Sequence, residues 1–595
     1  MNFADLIGKL GHSRIERYSA HPLWSHMDKE SWFQNSPLKL EAVRESWSKL
    51  PSEAARVLAM IVNRFGAAPF QEEGLLQGAD RSIAGSLHRL GLLYLVEAGI
   101  VFAVRRGWGE KLYFVPGDMF FHWHRSIYER GASPLPDNAD VWSEEAARSP
   151  LSLQLLHMLA ELKRTGMKRT AKGLLAKRVI DKCAAQIELQ PSEAMFLKLA
   201  LSDPSYTAYP LHVGMMLDLA MKFQLLGTAP DSFLFHEDNW NLWLRASSGL
   251  EQEQALLRIV MEQYALGSST AIATAAAALS GLEFMKWYAI EDSAARQWCQ
   301  LMVGLGWMER AECAKDIEGM QSIESIQRMQ STQSVKGVEV YRWLIPPWPY
   351  GGSTDAAEGT SGEAGIMIAT DGDIYVPPHV PAAVRWQLEM VAARKQSDAV
   401  AVYRINEQSL AKALELGYTG PQVVQLLEAA SGKPLPSPVY VGISGMMEDQ
   451  WDAAATKLSS APALSERERS EPLDCSAALF HAPGSFLAQY DPIVEVPAPQ
   501  SLFSGLEAIP SAWLKGLRRY HPTTRRELLE QALRWRISVT LKCGDSLMPF
   551  VPERIESDKE NWAVFGYEQG NEEAALVRLT PDMWQEMMLQ LPQLQ

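Results

Sequence analysis

"GIMIATDGDIYVPPHVPAAVRWQLEMVAARK", Gly365 to Lys395, reads as two short β-rich runs around a turn, followed by a helix. The runs "GIMIA" and "DIYVP" have hairpin length. Thr370, Asp371 and Gly372 supply the turn, because Asp and Gly tolerate positive φ. Pro381 opens the helix "AAVRWQLEMVAARK". A strand "AVAVYRIN", a helix "EQSLAKALELG" closed by Gly417, and "GPQVVQLLEAASGKPLPSPVYVGI" follow. The order β-β-α-β-α-α, with a final helix or strand, makes a small α/β module over 365–452.

Two stretches bound this module. The Gly-, Ser- and Thr-rich run 351–364 has the composition of a flexible linker. Downstream, 453–510 contains "KLSSAPALSERERSEPLDC" and reads as linker and irregular chain. At 595 residues and a prior of roughly 150 residues per domain, about four units in series are expected.

Within 1–135, Glu53 to Val115 has the pattern helix, helix, helix, hairpin. Ser52 can cap a helix with Val57, Leu58, Ile61, Val62 and Phe65 at helical spacing; Pro69 opens a second; Asp80 caps a third, "RSIAGSLHRLGLLYLVEAG". Strands "IVFAVRR" and "EKLYFVP" turn through Gly107 and Gly109. This is the plan of a winged helix, whose third helix can enter a major groove while its wing touches the backbone. The DNA-contact candidates are Arg81, His88 and Arg89 on the helix, and Arg105, Arg106 and Lys111 on the wing. Winged helices serve equally as protein-binding modules.

The region 136–350 repeats the beat. "LSLQLLHMLAELKR" and "TAKGLLAKRVIDKCAAQIEL" form a second helix pair, and "VEVYRWLIP" returns as a strand after "GLGWMERAE". "LHVGMMLDLAMKFQLLG" and "NLWLRASSGLEQEQALLRIVMEQYALG" read as amphipathic connecting helices. A basic island lies on the second pair, where Lys163, Arg164, Lys168, Arg169, Lys172, Lys177, Arg178 and Lys182 face Asp181 alone. It fits a nucleic-acid face or a solvated helix surface.

Composition limits the remaining options. With 47% hydrophobic and 21% charged residues, the chain is expected to fold as an ordinary globular protein. No run approaches the roughly 18 apolar residues of a membrane span, and the first residues lack a signal-peptide layout. Five scattered cysteines without a Cys-x-x-Cys pair fit a reducing, cytoplasmic setting. A net charge of −15 means that any nucleic-acid face must be local.

The ordered features "YVPP", "VYRIN", "SLAKALELG" and "LPSPV" resemble the N-terminal region of XPB-type DNA repair helicases and related helicase-associated proteins of bacteria. The resemblance implies a module placed beside DNA. It also implies a small β-rich end similar to WYL domains; here 511–595 gives helix and strands without the Trp-Tyr-Leu tripeptide. Arg518, Arg519, Arg525, Arg526, Arg534 and Arg536 crowd its entry, where pairing with Glu527 and Glu530 is favoured over phosphate contact.

No Gly-x-x-x-x-Gly-Lys-Ser/Thr occurs, and "ASGKPLP" places Pro434 where a hydroxyl is needed. "SLAK" at Ser409–Lys412 lacks its partner boxes, and "FHEDNW" lacks the second zinc histidine. His122 and His124 in "FHWHR" can chelate a metal from a strand but more often mark surface or partly buried aromatic contacts, and Asp371 and Asp373 are turn residues first. The tryptophans Trp240, Trp243, Trp287, Trp298, Trp307, Trp343 and Trp348 fit core packing better than base stacking.

The expected architecture is therefore α+β and mainly helical: tandem winged-helix-like units, a small α/β helicase-N-terminal-like module and a small β-rich C-terminal domain. The expected role is non-catalytic. It is a DNA-associated adaptor or regulator in repair, recombination or transcription, with DNA and a separate helicase or nuclease as partners and no metal or cofactor. A protein–protein scaffold and a WYL-type ligand-responsive regulator are the alternatives.

Overall fold

The computed structural model describes residues 2–25, 40–128, 132–143, 147–229, 231–245, 249–313, 338–350, 365–397, 400–446, 478–493, 495–558, 561–570 and 575–592. The run 351–364 and "KLSSAPALSERERSEPLDC", both read as linkers, lie outside these residues. The fold is α+β with small antiparallel sheets. Among the described residues no helix is long and apolar enough to cross a membrane.

Two compact units form. The first joins Met1–Arg130, Ser269–Ala278 and Ala482–Gln595, and the second joins Gly131–Ser268 and Leu279–His481. Segments read as separate first and last domains thus share one unit.

The first unit begins its helix–hairpin module with α1 (Ser52–Arg64), α2 (Glu72–Gln77) and α3 (Gly85–Glu97), then β1 (Phe102–Arg105) and β2 (Lys111–Phe114). Ser52 is the first residue of α1 rather than its cap, and its hydroxyl donates to Glu53 (3.0 Å). Phe70, ahead of α2, bridges to Tyr113 of β2, so the segment at Pro69 is a strand position and the helix starts later. The third helix also starts later than its sequence suggests. Asp80 spends its carboxylate on the Ser82 N–H (2.8 Å) and hydroxyl (2.9 Å), a local turn that leaves Arg81 off the helix. Where α3 crosses α1, Gly91 sits so close that a Cβ would lie 2.7 Å from the Glu53 carbonyl oxygen. After β2 comes α4 (Gly117–Ile127).

The second unit repeats this plan. β3 (Val141–Trp142) leads to α5 (Leu151–Thr165), α6 (Lys177–Ala184), α7 (Leu211–Lys222), β4 (Leu226–Ala229) and β5 (Ser232–Phe235). Lys168, between α5 and α6, bridges to Ser232 of β5 as Phe70 does to Tyr113. The α7 segment, read above as an amphipathic connector, is instead the third helix of this module. It is buried from His212 to Met221, its Asp218 carboxylate accepting the N–H groups of Leu479 (2.9 Å) and Phe480 (3.2 Å).

A third variation follows: β6 (Tyr288–Ala289), α8 (Ser293–Gly304), β7 (Met308–Cys313) and β8 (Val338–Trp343), with β6 paired to β8 and β3 to β7. Trp240, Trp298, Trp307 and Trp343 are buried, as core packing requires.

The module of the opening stretch lies in the same unit. β9 (Met367–Ile368) and β10 (Asp373–Val376) flank the turn, where Gly372 has φ +84°. The helix α9 (Ala382–Val391) ends earlier than the sequence pattern suggests, because Ala392 is extended and Ala393–Ser397 forms β11 instead. β12 (Ala401–Arg404), α10 (Glu407–Glu415) and α11 (Gly420–Ser431) complete it, so the order is β-β-α-β-β-α-α, with a sheet ordered β11-β12-β10-β9. Residues 437–446 are helical.

The chain then returns to the first unit. β13 (Asp491–Pro492) pairs with β1. α12 (Pro522–Trp535) packs on a sheet of β14 (Ser538–Cys543), β15 (Ser546–Asp558), β16 (Asn561–Glu568), β17 (Val577–Leu579) and β18 (Glu586–Gln590), ordered β17-β16-β15-β14-β18. Leu528, Leu529, Trp535, Phe550 and Met587 are among its core residues.

Gly91→Ala is expected to destabilise the protein by about 1–3 kcal/mol, read as a lower urea midpoint, because the added methyl overpacks the α1–α3 crossing against backbone. An unchanged midpoint would contradict that packing.

Candidate nucleic-acid interface

Two arrangements bear on function: a charge cluster that fixes the α/β module to α5, and the basic loop that follows α5. The cluster centres on Glu389 of α9, 3% exposed. The Tyr403 hydroxyl donates to its Oε1 at 2.8 Å, and Arg394 Nε approaches the same oxygen at 3.1 Å. The Arg394 guanidinium also donates to His157 Nδ1 of α5 at 2.7 Å and to the Gln186 side-chain oxygen. Burial pushes the Glu389 carboxyl up while Arg394 pulls it down, and burial together with Arg394 and Arg385 holds His157 neutral. A neutral imidazole accepts at Nδ1, which leaves Nε2–H facing Glu389 Oε1 at 3.6 Å. Nearby, Lys163 of α5 lies 5.6 Å from the Trp386 ring and 5.2 Å from the Phe235 ring.

Beyond α5 the chain forms a tight loop. Arg169 bridges Leu175, Thr170 N–H donates to the Leu174 carbonyl (2.7 Å), and Gly173 has φ +74°. Arg169 belongs to the loop's own framework: its Nε donates to the Gly173 carbonyl (2.7 Å), its Nη1 to the Ala229 carbonyl (3.1 Å), and it lies over Phe233. Lys168, Lys172, Lys177 and Arg178 are exposed around it. Lys177 and Arg178 occupy the first turn of α6, whose cap residue Ala176 offers no side-chain acceptor. Cations there oppose the helix dipole, by about 0.3–1 kcal/mol each, so helix stability does not account for them. Anions are favoured at the same place. Of the flanking cations, Lys182 and Arg164 lie near Glu161, and Lys163 near Glu237.

The first unit treats its candidates differently. Arg81 is paired with Glu553 (3.2 Å) and reaches the Tyr567 hydroxyl (3.3 Å), Arg89 is paired with Glu72, and His88 is buried. The start of α3 is covered: Ser86 N–H donates to the Arg536 carbonyl (2.9 Å), and a Cβ on Gly85 would lie 3.1 Å from that of Arg536. Arg105 and Arg106 remain exposed on the hairpin, and Lys111 lies 4.7 Å from the Tyr113 ring. Near the chain end, Arg526 pairs with Glu530 (2.8 Å), and Arg525 donates to the Trp584 (2.8 Å) and Gln585 (3.1 Å) carbonyls.

The fragments that invite a catalytic reading have structural uses. Ser409 forms a capping box with Asn406 at the start of α10. Gly432 of "ASGKPLP" is the left-handed residue ending α11 (φ +65°), at the negative rather than the positive end of a helix. Asp373 is held by Lys395 (3.1 Å) and Arg404 (2.6 Å). Among the described residues no group of three or more metal-ligating side chains converges. His122 and His124 lie on helix α4, not a strand, so their side chains leave the helix about 160° apart around its axis.

Burial drives the His124 pKa down to about 4. Its folded value lies below the unfolded one, so its contribution to stability is present above pH ~6.5 and fades as pH falls towards 4. Taking pH from 7 to 5 should cost about 2 kcal/mol through this residue, and His124→Phe should lessen the loss seen in urea titrations by about that amount, the remainder belonging to other buried histidines such as His157. A loss between pH 7 and 5 as large in the variant as in the wild type would contradict the assignment. Arg394→Ala, which strands the Glu389 carboxylate, is expected to cost about 3–5 kcal/mol, and the pair Glu389→Gln with Arg394→Met clearly less. Equal losses in the two variants would contradict the cluster's role.

Residues 366–451 match the family model described as a helicase conserved C-terminal domain. No curated protein matches the chain. The description names the C-terminal part of helicases, whereas the resemblance read from the residues points to an N-terminal module. Both indicate a helicase-related domain over nearly the same residues.

Proposed function

We propose that this chain is a non-catalytic, DNA-associated adaptor or regulator that works beside a separate helicase or nuclease in repair, recombination or transcription. One observation carries the reading: the helicase-related domain is fixed by a buried charge cluster to the module whose loop exposes Lys168, Lys172, Lys177 and Arg178. An acidic chain that gathers unpaired cations around an uncapped helix start has the local electrostatics that phosphates select.

The winged-helix reading draws support from the thrice-used plan, in which a bridge or short strand ahead of the helices pairs with the second hairpin strand. In this reading α7 and the start of α3 are packed away, and contacts come from loops and wings rather than from a third helix in a major groove. The helicase-related domain is taken as an XPB-type accessory module, and the five-stranded end as WYL-like. The non-catalytic reading draws on the missing P-loop and on the capping roles of Ser409 and Gly432. A cytoplasmic location follows from cysteine usage.

A protein–protein scaffold is the second reading, favoured by the net charge of −15 and the pairing of Arg81 and Arg89. Gel-shift titration separates them. Changing Lys168, Lys172, Lys177 and Arg178 together to Glu is expected to weaken duplex binding by at least about 30-fold at roughly 50 mM salt, with thermal stability unchanged. No binding by the wild-type chain, or full binding by the variant, would refute the DNA reading at this loop.

A further inference from the structure

The turn between β1 and β2 runs Arg105-Arg106-Gly107-Trp108-Gly109-Glu110-Lys111. Gly109 N–H donates to the Arg106 carbonyl at 2.8 Å, Gly107 has φ +53°, and a Cβ on Gly109 would lie 2.8 Å from that carbonyl oxygen. Both glycines are therefore demanded by the turn. Trp108 is not, yet this position holds the largest side chain in the repertoire and is 104% exposed. Eight other tryptophans, including Trp24 and Trp123 in the same unit, are fully buried.

The support beneath the tip is firm. β1 is paired on one side with β2, through Arg105 opposite Lys111, and on the other with β13. A fully solvated indole adds nothing to the fold and exposes apolar surface that a partner would cover. Exposed Arg105 and Arg106 precede it, and the one acid in the turn, Glu110, is engaged by the Gln71 amide. An aromatic face beside two guanidiniums is complementary to a base beside its phosphates.

We propose that Trp108 is a stacking wedge for nucleic-acid ends and junctions. Its indole covers the last base pair, or the first unpaired base, where duplex meets single strand, while Arg105 and Arg106 hold the adjoining phosphates. The inference rests on the DNA reading above but uses a different unit and different residues from the basic loop.

The test compares a forked duplex with relaxed closed-circular duplex, which has no ends, by fluorescence anisotropy and competition. Base–aromatic stacking spans roughly 5- to 150-fold in affinity, so Trp108→Ala is expected to weaken fork binding about tenfold and to leave circular-duplex binding within about twofold. Trp108→Phe should restore most of the fork preference. A 2-aminopurine at the first unpaired base should be quenched by the wild-type chain and not by Trp108→Ala. An unchanged fork-to-circle ratio with unchanged quenching overturns the wedge and leaves the DNA reading standing. Failure of the wild-type chain to bind either DNA overturns both.

Discussion

The second unit depends on a carboxylate that should be expensive to bury. Glu389 is tolerable beneath the helicase-related domain only because Tyr403 and Arg394 converge on it, and Arg394 in turn engages His157 and Gln186 outside that domain. The cluster is directional. Apolar packing alone would hold α9 against α5, but a shared guanidinium fixes the register, so β11 and β12 take one position relative to α5 and the loop that leaves it. Trp386, packed 4.6 Å from Trp240 and 5.7 Å from Phe235, closes the same interface with aromatic surface.

With that position set, the repeated helix–hairpin plan explains where charge is free and where it is spent. In both modules the third helix is enclosed: α7 along its length, and α3 at its start by the chain end. Cations beside those enclosed surfaces are paired or packed. Lys168, Lys172, Lys177 and Arg178 around the start of α6, and Arg105 and Arg106 on the β1–β2 turn, are exposed where no packing demands them. A chain of net charge −15 repels polyanions on average, so these local departures are the places where phosphates have something to gain.

Much of this was legible in the residues. The turn at Thr370–Gly372, the closure of α10 at Gly417 (φ +92°), the helical spacing of Val57, Leu58, Ile61 and Val62 and the burial of Trp240, Trp298, Trp307 and Trp343 follow from local chemistry, and the structure shows them as read, whereas Trp243, Trp287 and Trp348 are only half-buried. What escaped depends on distant partners. The helical signal in "AAVRWQLEMVAARK" carries past Val391, but β12 offers backbone pairing and Glu389 offers Arg394 a counter-ion, so the last residues become strand. His88 and Arg89 look like an exposed polar face, although Glu72 and core residues claim them. Asp80 resembles a helix cap until the Ser82 hydroxyl competes for it. Trp108 gave no signal of its own between Gly107 and Gly109, because only burial distinguishes a solvated indole from a core one.

The most direct test of the account is the salt dependence of duplex binding by the full chain. Four unpaired cations at one loop should release nearly four counterions, so log Kobs against log salt is expected to fall with a slope of about −3 to −4, and to flatten when Lys168, Lys172, Lys177 and Arg178 are reversed in charge. A slope near zero, or one that the reversals leave unchanged, would contradict it.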